Sequence, residues 1–369
     1  MPDRKEVRAG ASTQGAARVS RARGAARISR ARGCTSHEMQ CAGEQVTVII
    51  PNYNGMKYLP RCLDSLARQT LRGMKVLVVE NGSTDGSREF LQGRPEVSVL
   101  YQEENLGFAG GVNAGIRAAD TPYVILLNND TEAFPEFAEA LLREIRRSPR
   151  IFSVSARMLR IQDPSEIDDA GDLMSLPGWA FQRGQGEKKE RYGESCDVFS
   201  ACAGAAIYRR EALLSLGLFD ERHFAYLEDL DLSWRAKRAG YWNRYCPAAE
   251  VLHYGSATSG SRYNAFKVRL ASRNHIWLMY KNQPLWQLLW NAPFLLAGLL
   301  VKFLFFRRLG FGAEFLQGTR EGLRGLPEME APEGGRERAV RSLAMEWEMI
   351  TGTVLYAVRL LRKAIRRFP

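Results

Sequence analysis

Three short stretches and one histidine carry the residue types that polar chemistry needs. Asn128-Asn129-Asp130 follows the apolar run Tyr123 to Leu127, which makes an oxygen-rich corner suited to a hard divalent cation and the phosphates it neutralises. Read alone, the same triplet is a turn with a capped helix start ahead of Pro135. Glu228-Asp229-Leu230-Asp231 opens a helix, where the macrodipole favours ionised carboxylates, and an ionised carboxylate can act as general base towards a hydroxyl. Acidic residues also decorate helix starts with no further role. Glu228 and Asp231 are three apart and share a face while Asp229 points elsewhere, so the cluster is expected to divide its labour. His253, one of four histidines, ends an apolar strand-like segment, as a structural residue or as the nitrogen ligand of an oxygen-rich metal site. Gly107 to Gly115 (GFAGGVNAG) could cradle phosphate on backbone amides at a helix start. Its glycines are out of register with the dinucleotide fingerprint, which disfavours a nicotinamide dehydrogenase.

These residues need elements to hold them. Val46 to Ile50, Met74 to Val79, Val97 to Tyr101 and Tyr123 to Leu127 are apolar runs, and Lys57 to Gln69, Thr84 to Gln92 and Ala109 to Ala118 are helix-period segments between them. That rhythm predicts an α/β fold, a mainly parallel sheet with helices on both faces. Ligands of such sheets sit beyond the carboxyl ends of the strands. There the chain is polar: Pro51-Asn52-Tyr53-Asn54-Gly55, Glu80-Asn81-Gly82-Ser83-Thr84-Asp85-Gly86, Asn105 to Gly111, and Asn128 to Thr131. One such loop is ordinary turn chemistry, but four in order point to one crevice. Further on, Val198 to Arg209 reads as a strand and the acidic helix ends near Gly240.

Taken in order, residues 48–55 (VIIPNYNG), 79–86 (VENGSTDG), 105–113 with Asn113, 126–130 (LLNND), 226–235 (YLEDLDLSWR) and 253–256 (HYGS) resemble the family 2 glycosyltransferases of the GT-A fold, in particular their rhamnosyltransferase-like branch, over residues 46 to 282. The resemblance implies a nucleotide-sugar site that includes Pro51, Tyr53, Asn54, Glu80, Asn81, Gly107, Asn113, Asn128 and Asn129, with Pro51, Tyr53 and Glu80 lining the nucleobase pocket. It implies Asp130 and His253 as ligands of Mg2+ or Mn2+, Asp229 as the catalytic base, and Glu228, Asp231, Trp234 and Arg235 near acceptor or phosphate. The chain departs from the family pattern twice. Glu80 stands where an Asp is usual, one methylene longer, and Asn128 replaces the first Asp of the Asp-X-Asp motif, leaving one carboxylate for the metal.

The formal charge of +11 suggests nucleic acid until it is divided. Residues 1–33 hold nine basic and two acidic side chains, residues 359–369 hold five basic and none acidic, and the remaining 325 carry 38 basic and 39 acidic. A near-neutral body has no basic excess for a nucleic-acid surface. The tandem repeat AARVSRARG-AARISRARG (16–33) is too poor in apolar residues to fold, so residues 1–43 are expected to be a disordered basic tail. Six scattered cysteines without a CxxC pair, and no apolar stretch of signal-peptide type, suggest a cytosolic chain.

Leu285 to Val301 is apolar but interrupted by Gln287, Asn291 and Pro293, short of the roughly 20 clean residues of a span, which favours an interfacial or re-entrant helix. Val340, Leu343, Trp347, Ile350, Val354, Val358, Leu361, Ile365 and Phe368 recur every three or four residues as one face of a long helix ending in Arg359, Arg362, Lys363, Arg366 and Arg367. That helix either packs on its own domain or in a dimer, or lies on anionic lipid. The expected organisation is thus a basic tail (1–43), a GT-A catalytic domain (44–282), an apolar membrane-associated segment (283–310), and a linker with a basic amphipathic helix (311–369). The expected function is an inverting, metal-dependent, non-processive transfer of a sugar, rhamnose by the branch, from a nucleotide-diphosphate donor to a cell-envelope or lipid-linked glycan. The expected location is the cytoplasmic face of the membrane, by peripheral association and without nucleic acid. A catalytically silent nucleotide-sugar-binding protein and a processive polysaccharide synthase are the alternatives; neither a Gln-x-x-Arg-Trp motif nor a set of transmembrane helices supports the latter.

Overall fold

The structure, a computed structural model, describes residues 43–255, 263–332 and 335–367. The basic tail and its repeat lie outside the described residues, as do Phe368 and the side chains of Lys363, Arg366 and Arg367. The chain runs β1 (Val46–Asn52), α1 (Leu59–Ala67), β2 (Lys75–Asn81), α2 (Ser87–Gln92), β3 (Ser98–Gln102), α3 (Gly107–Ala118), β4 (Tyr123–Leu127), β5 (Thr131–Ala133), α4 (Phe137–Ile145), β6 (Ile151–Arg160), β7 (Asp163–Asp169), β8 (Asp172–Met174), β9 (Ala180–Gln182), β10 (Cys196–Val198), β11 (Ala205–Arg209), α5 (Arg210–Ser215), α6 (Glu228–Ala239), β12 (Trp242–His253), α7 (Ala265–Asn282), α8 (Leu285–Arg308), α9 (Gly312–Arg324) and α10 (Arg336–Arg367). The expected run Val198 to Arg209 is divided. Its ends belong to β10 and β11, and residues 199–204 form a loop between them.

The central sheet has the order β10-β12-β6-β11-β4-β1-β2-β3, with β5 on β12 and β7 on β6. β4, β1, β2 and β3 are parallel, β11 is antiparallel to both its neighbours, and β6 and β12 are parallel to each other. Alternate residues of the apolar strands are buried on opposite faces. Val48, Ile50, Ile125 and Leu127 join one core, and Ile49, Val124 and Leu126 join the other. Each fully buried aliphatic side chain contributes about 1.5–3 kcal/mol, and this two-sided burial is why the strands read as continuous apolar runs.

α6 is fastened by buried charge. Asp231 accepts hydrogen bonds from Arg235 (3.0 Å), Lys281 (3.1 Å) and Asn282 (2.8 Å), and Lys281 also pairs with Asp220. Burial alone would raise the Asp231 carboxyl, but Arg235 and Lys281 hold it well below the usual carboxylate range. Removing one partner of such a cluster leaves an uncompensated buried charge, at about 3–5 kcal/mol.

α8 has inverted polarity. Its buried residues are Gln287, Asn291 and Gly298, whereas Leu285, Leu289, Trp290 (70% exposed), Leu296 and Leu300 face outward. Gln287 and Asn291 (2.9 Å) both donate to Glu346 of α10, and a Cβ on Gly298 would come 2.7 Å from the Pro177 carbonyl. α10 repeats the pattern. Ser342, Met345 and Met349 pack inward, and the periodic apolar face expected from the sequence, including Leu343, Trp347 (67% exposed), Val354 and Leu361, points out. That face therefore does not pack on its own domain.

Candidate active site

The polar strand ends open on one cavity of about 860 Å3. Its first side is built from Pro51, Asn52 and Tyr53 after β1, Asn81 after β2, and Asn105, Gly107 and Phe108 at the start of α3. Asn81 ties this side together. Its amide nitrogen donates to the Asn105 side chain and the Gly107 carbonyl, both at 3.0 Å, and its oxygen accepts from Leu106 N at 3.1 Å. Gly107 has φ +73°, and a Cβ there would sit 2.5 Å from the Phe224 carbonyl, so only glycine lets this loop approach residue 224.

Glu80, Asn54 and Asn113 are placed differently from the expectation and do not line the cavity. Glu80 is fully buried, accepting from Asn52 (2.7 Å) and from Ser83 N (2.6 Å), so it fixes the β1 and β2 ends from behind. Asn54 (φ 49°) accepts from Thr84 N at 2.8 Å, and Asn113 exchanges hydrogen bonds with the backbone of Phe219 at 2.8 and 3.0 Å. These three act on the site through the residues they hold.

Asn128, Asn129 and Asp130 line the middle of the cavity, directly after β4. Asn129 donates to Asn52 at 2.8 Å, while the Asn128 backbone is set by Gly204 at 2.8 Å. His253, the last residue of β12, lies with Nε2 3.5 Å from the Asp130 carboxylate and Nδ1 2.7 Å from that of Asp168. Burial would lower the His253 imidazole, but without a cation its bonds to Asp130 and Asp168 raise it to about 10, and a metal on Nε2 would take the place of that proton. A histidine whose far nitrogen is held by a carboxylate and whose near nitrogen meets a second carboxylate has the donor set of a divalent-cation site, and Asp168 fits the outer-shell role. The residues present therefore fit Mg2+ or Mn2+.

The second side is built from Asp169 and Asp172, from Cys202, Ala203 and Gly204 in the loop before β11, and from residues 224–229 leading into α6. Phe224, Tyr226 and Leu227 all have positive φ, at 64°, 72° and 68°. Strain of this kind persists only where the surroundings over-determine it. Here the Asn274 amide nitrogen lies within 3.0 Å of the carbonyls of His223, Ala225 and Tyr226. The strained segment delivers Glu228 and Asp229 to the cavity. Asp229 accepts from Leu230 N (2.8 Å) and Ala203 N (3.3 Å), and burial, outweighing these bonds, raises its carboxyl above the usual range.

The other three acceptor-side expectations are corrected. Asp231, Trp234 and Arg235 do not line the cavity. Trp234 is fully buried edge-on to Phe199 at 5.0 Å, and Arg235 binds Asp231 and the carbonyls of Leu216 and Leu218. On this helix Asp231, with Arg235 four residues on, is turned to Lys281 and Asn282 of α7, while Glu228 in the first turn reaches the cavity. Sequence reasoning missed Asp168, Asp169, Asp172, Cys202 and Asn274. Among them only the acidic doublet Asp168-Asp169 with Gly171 and Asp172 offered a signal.

The family model described as Glycosyl transferase family 2 matches residues 47–217. The N-acetylglucosaminyl-diphospho-decaprenol L-rhamnosyltransferase of Mycobacterium tuberculosis is 31% identical over 283 residues, covering 67% of this chain and 86% of that protein. An N-acetylglucosaminyltransferase of Rhizobium sp. (strain N33) is 29% identical over 220 residues, covering 55% of this chain and 47% of the relative. Among solved structures, that of GalNAc-T7 with UDP, GalNAc and Mn2+ superposes with a TM-score of 0.53 at 17% identity, over 64% of this chain and 47% of that one. The last similarity is one of fold.

Proposed function

The chain belongs to glycosyl transferase family 2, in its rhamnosyltransferase-like branch, and is an enzyme that uses nucleotide-sugar donors; from that premise we propose a metal-dependent, inverting, non-processive transfer of L-rhamnose onto a lipid-diphosphate-linked amino sugar at the cytoplasmic membrane face. The observation that carries this is the joint presence of the Asp130–His253 pair and Asp229 in one cavity whose other end is formed by the polar ends of β1 to β3. The nucleoside lies against Pro51, Tyr53 and Asn81, and the diphosphate extends towards Asn128 and Asp130. Asp229 takes the proton of an acceptor hydroxyl as its oxygen attacks the anomeric carbon. The bond from that carbon to the diphosphate oxygen breaks, and this single displacement inverts the configuration. A divalent cation held by Asp130 and His253 would neutralise charge on the departing diphosphate. The catalytic domain is assigned to residues 44–282.

The acceptor lipid accounts for the outward apolar faces of α8 and α10. A helix that buries Gln and Asn and exposes Trp and Leu is suited to an apolar surrounding. α8 has 24 residues and is long and apolar enough to cross a membrane, but its inner side is fastened to α10 at Gln287 and Asn291 and to Pro177 at Gly298, which favours lying in the interface. Trp290→Glu combined with Trp347→Glu is expected to lower binding to vesicles containing phosphatidylglycerol by about tenfold or more, since each change removes a large apolar anchor. Turnover of water-soluble donor should be unaltered. Undiminished flotation of the double variant with these vesicles would sink the membrane assignment, as would its conversion from dimer to monomer with no change in lipid binding.

The direct test of transfer is release of nucleoside diphosphate from a panel containing dTDP-rhamnose, UDP-glucose, UDP-galactose, UDP-N-acetylglucosamine and GDP-mannose, with N-acetylglucosaminyl-diphospho-polyprenol as acceptor. Acceptor-stimulated release from dTDP-rhamnose is expected. No release from any donor would overturn the reading.

A further inference from the structure

β7 ends on Asp169 and β8 begins on Asp172, joined by Ala170 and Gly171. Gly171 has φ +90°, and a Cβ on it would sit 2.6 Å from the Val198 side chain, so the turn is fixed by both conformation and space. It brings the carboxylates of Asp169 and Asp172 and the Cys202 thiol within 4.8 Å of one another on the wall of the cavity. Asp169 is 1% exposed. One of its oxygens accepts from Gly171 N at 2.6 Å, and the other, Oδ2, has no partner. On a separate element, Glu228 is 6% exposed with Oε2 likewise unpartnered, and it lines the same cavity.

Buried polar groups are nearly always hydrogen-bonded, and a structural carboxylate at this depth comes with cations, as Asp231 does with Arg235 and Lys281. Among the described residues no Lys or Arg pairs with Asp169, Asp172 or Glu228. Their position says what is missing. Asp168, the neighbour of Asp169, holds His253 beside Asp130, and Ala203, the neighbour of Cys202, donates to Asp229. The cluster therefore lies between the diphosphate end of the cavity and the base. In an in-line displacement that gap is occupied by the sugar ring being transferred.

We propose that Asp169 and Asp172, together with Glu228, form the subsite that binds hydroxyl groups of the transferred sugar and so selects the donor, an assignment that rests on the glycosyl-transfer reading above. Each sugar hydroxyl donates to a carboxylate oxygen and can accept from a protonated carboxyl. Burial next to Asp168 and Asp229 pushes Asp169 up to about 8, so the group holds protons to donate at neutral pH. A second Mg2+ or Mn2+ is disfavoured by the donor set, because one of its three members is the soft sulfur of Cys202 and these hard cations take oxygen ligands.

The experiment uses the full chain with Asp169→Asn and Asp172→Asn, the donor panel given above, and N-acetylglucosaminyl-diphospho-polyprenol. Losing one hydrogen bond to a sugar hydroxyl in a dry site, where the site's own polar group is left unpaired, should lower kcat/KM for the preferred donor by about 10- to 100-fold and compress the ranking of donors. Affinity for dTDP with Mn2+, measured by calorimetry, and KM for the acceptor should stay within about twofold of wild type, as the nucleotide lies on the other side of the cavity. Unchanged donor kinetics and ranking overturn the subsite, and so does a change confined to acceptor KM, which would make it an acceptor site. If the variants lose nucleotide binding, the wild type decides with donors lacking single hydroxyls. Discrimination of about 100-fold or more against one of them supports the subsite, and equal use of all overturns it. Absence of release by wild type from every donor overturns the transfer reading itself.

Discussion

Asp229→Asn is expected to lower sugar transfer by about 10³-fold, within the range that a positioned general base contributes. The substitution keeps size and shape and removes only the capacity to take a proton. The Asn oxygen can still accept from Leu230 N at the 2.8 Å position, and the contact given up is the longer one to Ala203 N at 3.3 Å. Donor binding should survive, because the side proposed for the nucleoside is formed by residues 51–53, 81, 105, 107 and 108 on other elements. Titration calorimetry with dTDP and Mn2+ separates the two effects. Burial raises the Asp229 carboxyl, and a base works only when deprotonated, so wild-type transfer falls as pH drops through a limb above the ordinary carboxylate range. That limb belongs to Asp229 and its buried neighbours together, since carboxylates this close share protons. Transfer by Asp229→Asn at more than a tenth of the wild-type rate would remove Asp229 from the role.

The parts legible in the sequence are those where local pattern and final position coincide. β4 is the run Tyr123 to Leu127 to the residue, and the polar loops after β1, β2 and β4 and before α3 meet in one cavity because parallel strands put their carboxyl ends on one edge. Residues 163 to 182 carry no strand pattern for a physical reason. β7, β8 and β9 are short and antiparallel, with polar residues such as Asp163, Glu166 and Asp169 in them, and their partners are set by tertiary contacts rather than alternation. The unpartnered carboxylates therefore had no periodic pattern to announce them, only the local run Asp168-Asp169-Ala170-Gly171-Asp172. Trp234 and Arg235 misled in the opposite way. Their place in a motif implied the site, but helix periodicity turns them towards Phe199 and the Asp231–Lys281 charge cluster. A resemblance transfers position in the chain, and the side a residue faces must be settled by packing.

The proposed metal dependence gives the second large effect. Removal of divalent cations by EDTA should abolish release of nucleoside diphosphate, with recovery on adding Mn2+ or Mg2+, and Asp130→Ala should remain about 10²- to 10³-fold below wild type at saturating metal, the size of loss seen when one preorganised charge-stabilising group is deleted. The reasoning starts from the scarcity of carboxylate here. Asn128 supplies an amide where a second Asp would sit, so Asp130 is the single acid at the end of β4, and His253 is its neighbour at 3.5 Å. Without Asp130 the histidine keeps only Asp168, on the side away from it. The loss should be uneven between substrates. Free dTDP carries two phosphates whose charge must be matched, so its affinity should fall in Asp130→Ala, whereas thymidine, which has none, should bind variant and wild type alike through Pro51, Tyr53 and Asn81. Equal affinity of wild type and Asp130→Ala for dTDP in the presence of Mn2+, or release of nucleoside diphosphate undiminished by EDTA, would exclude Asp130 as the metal ligand.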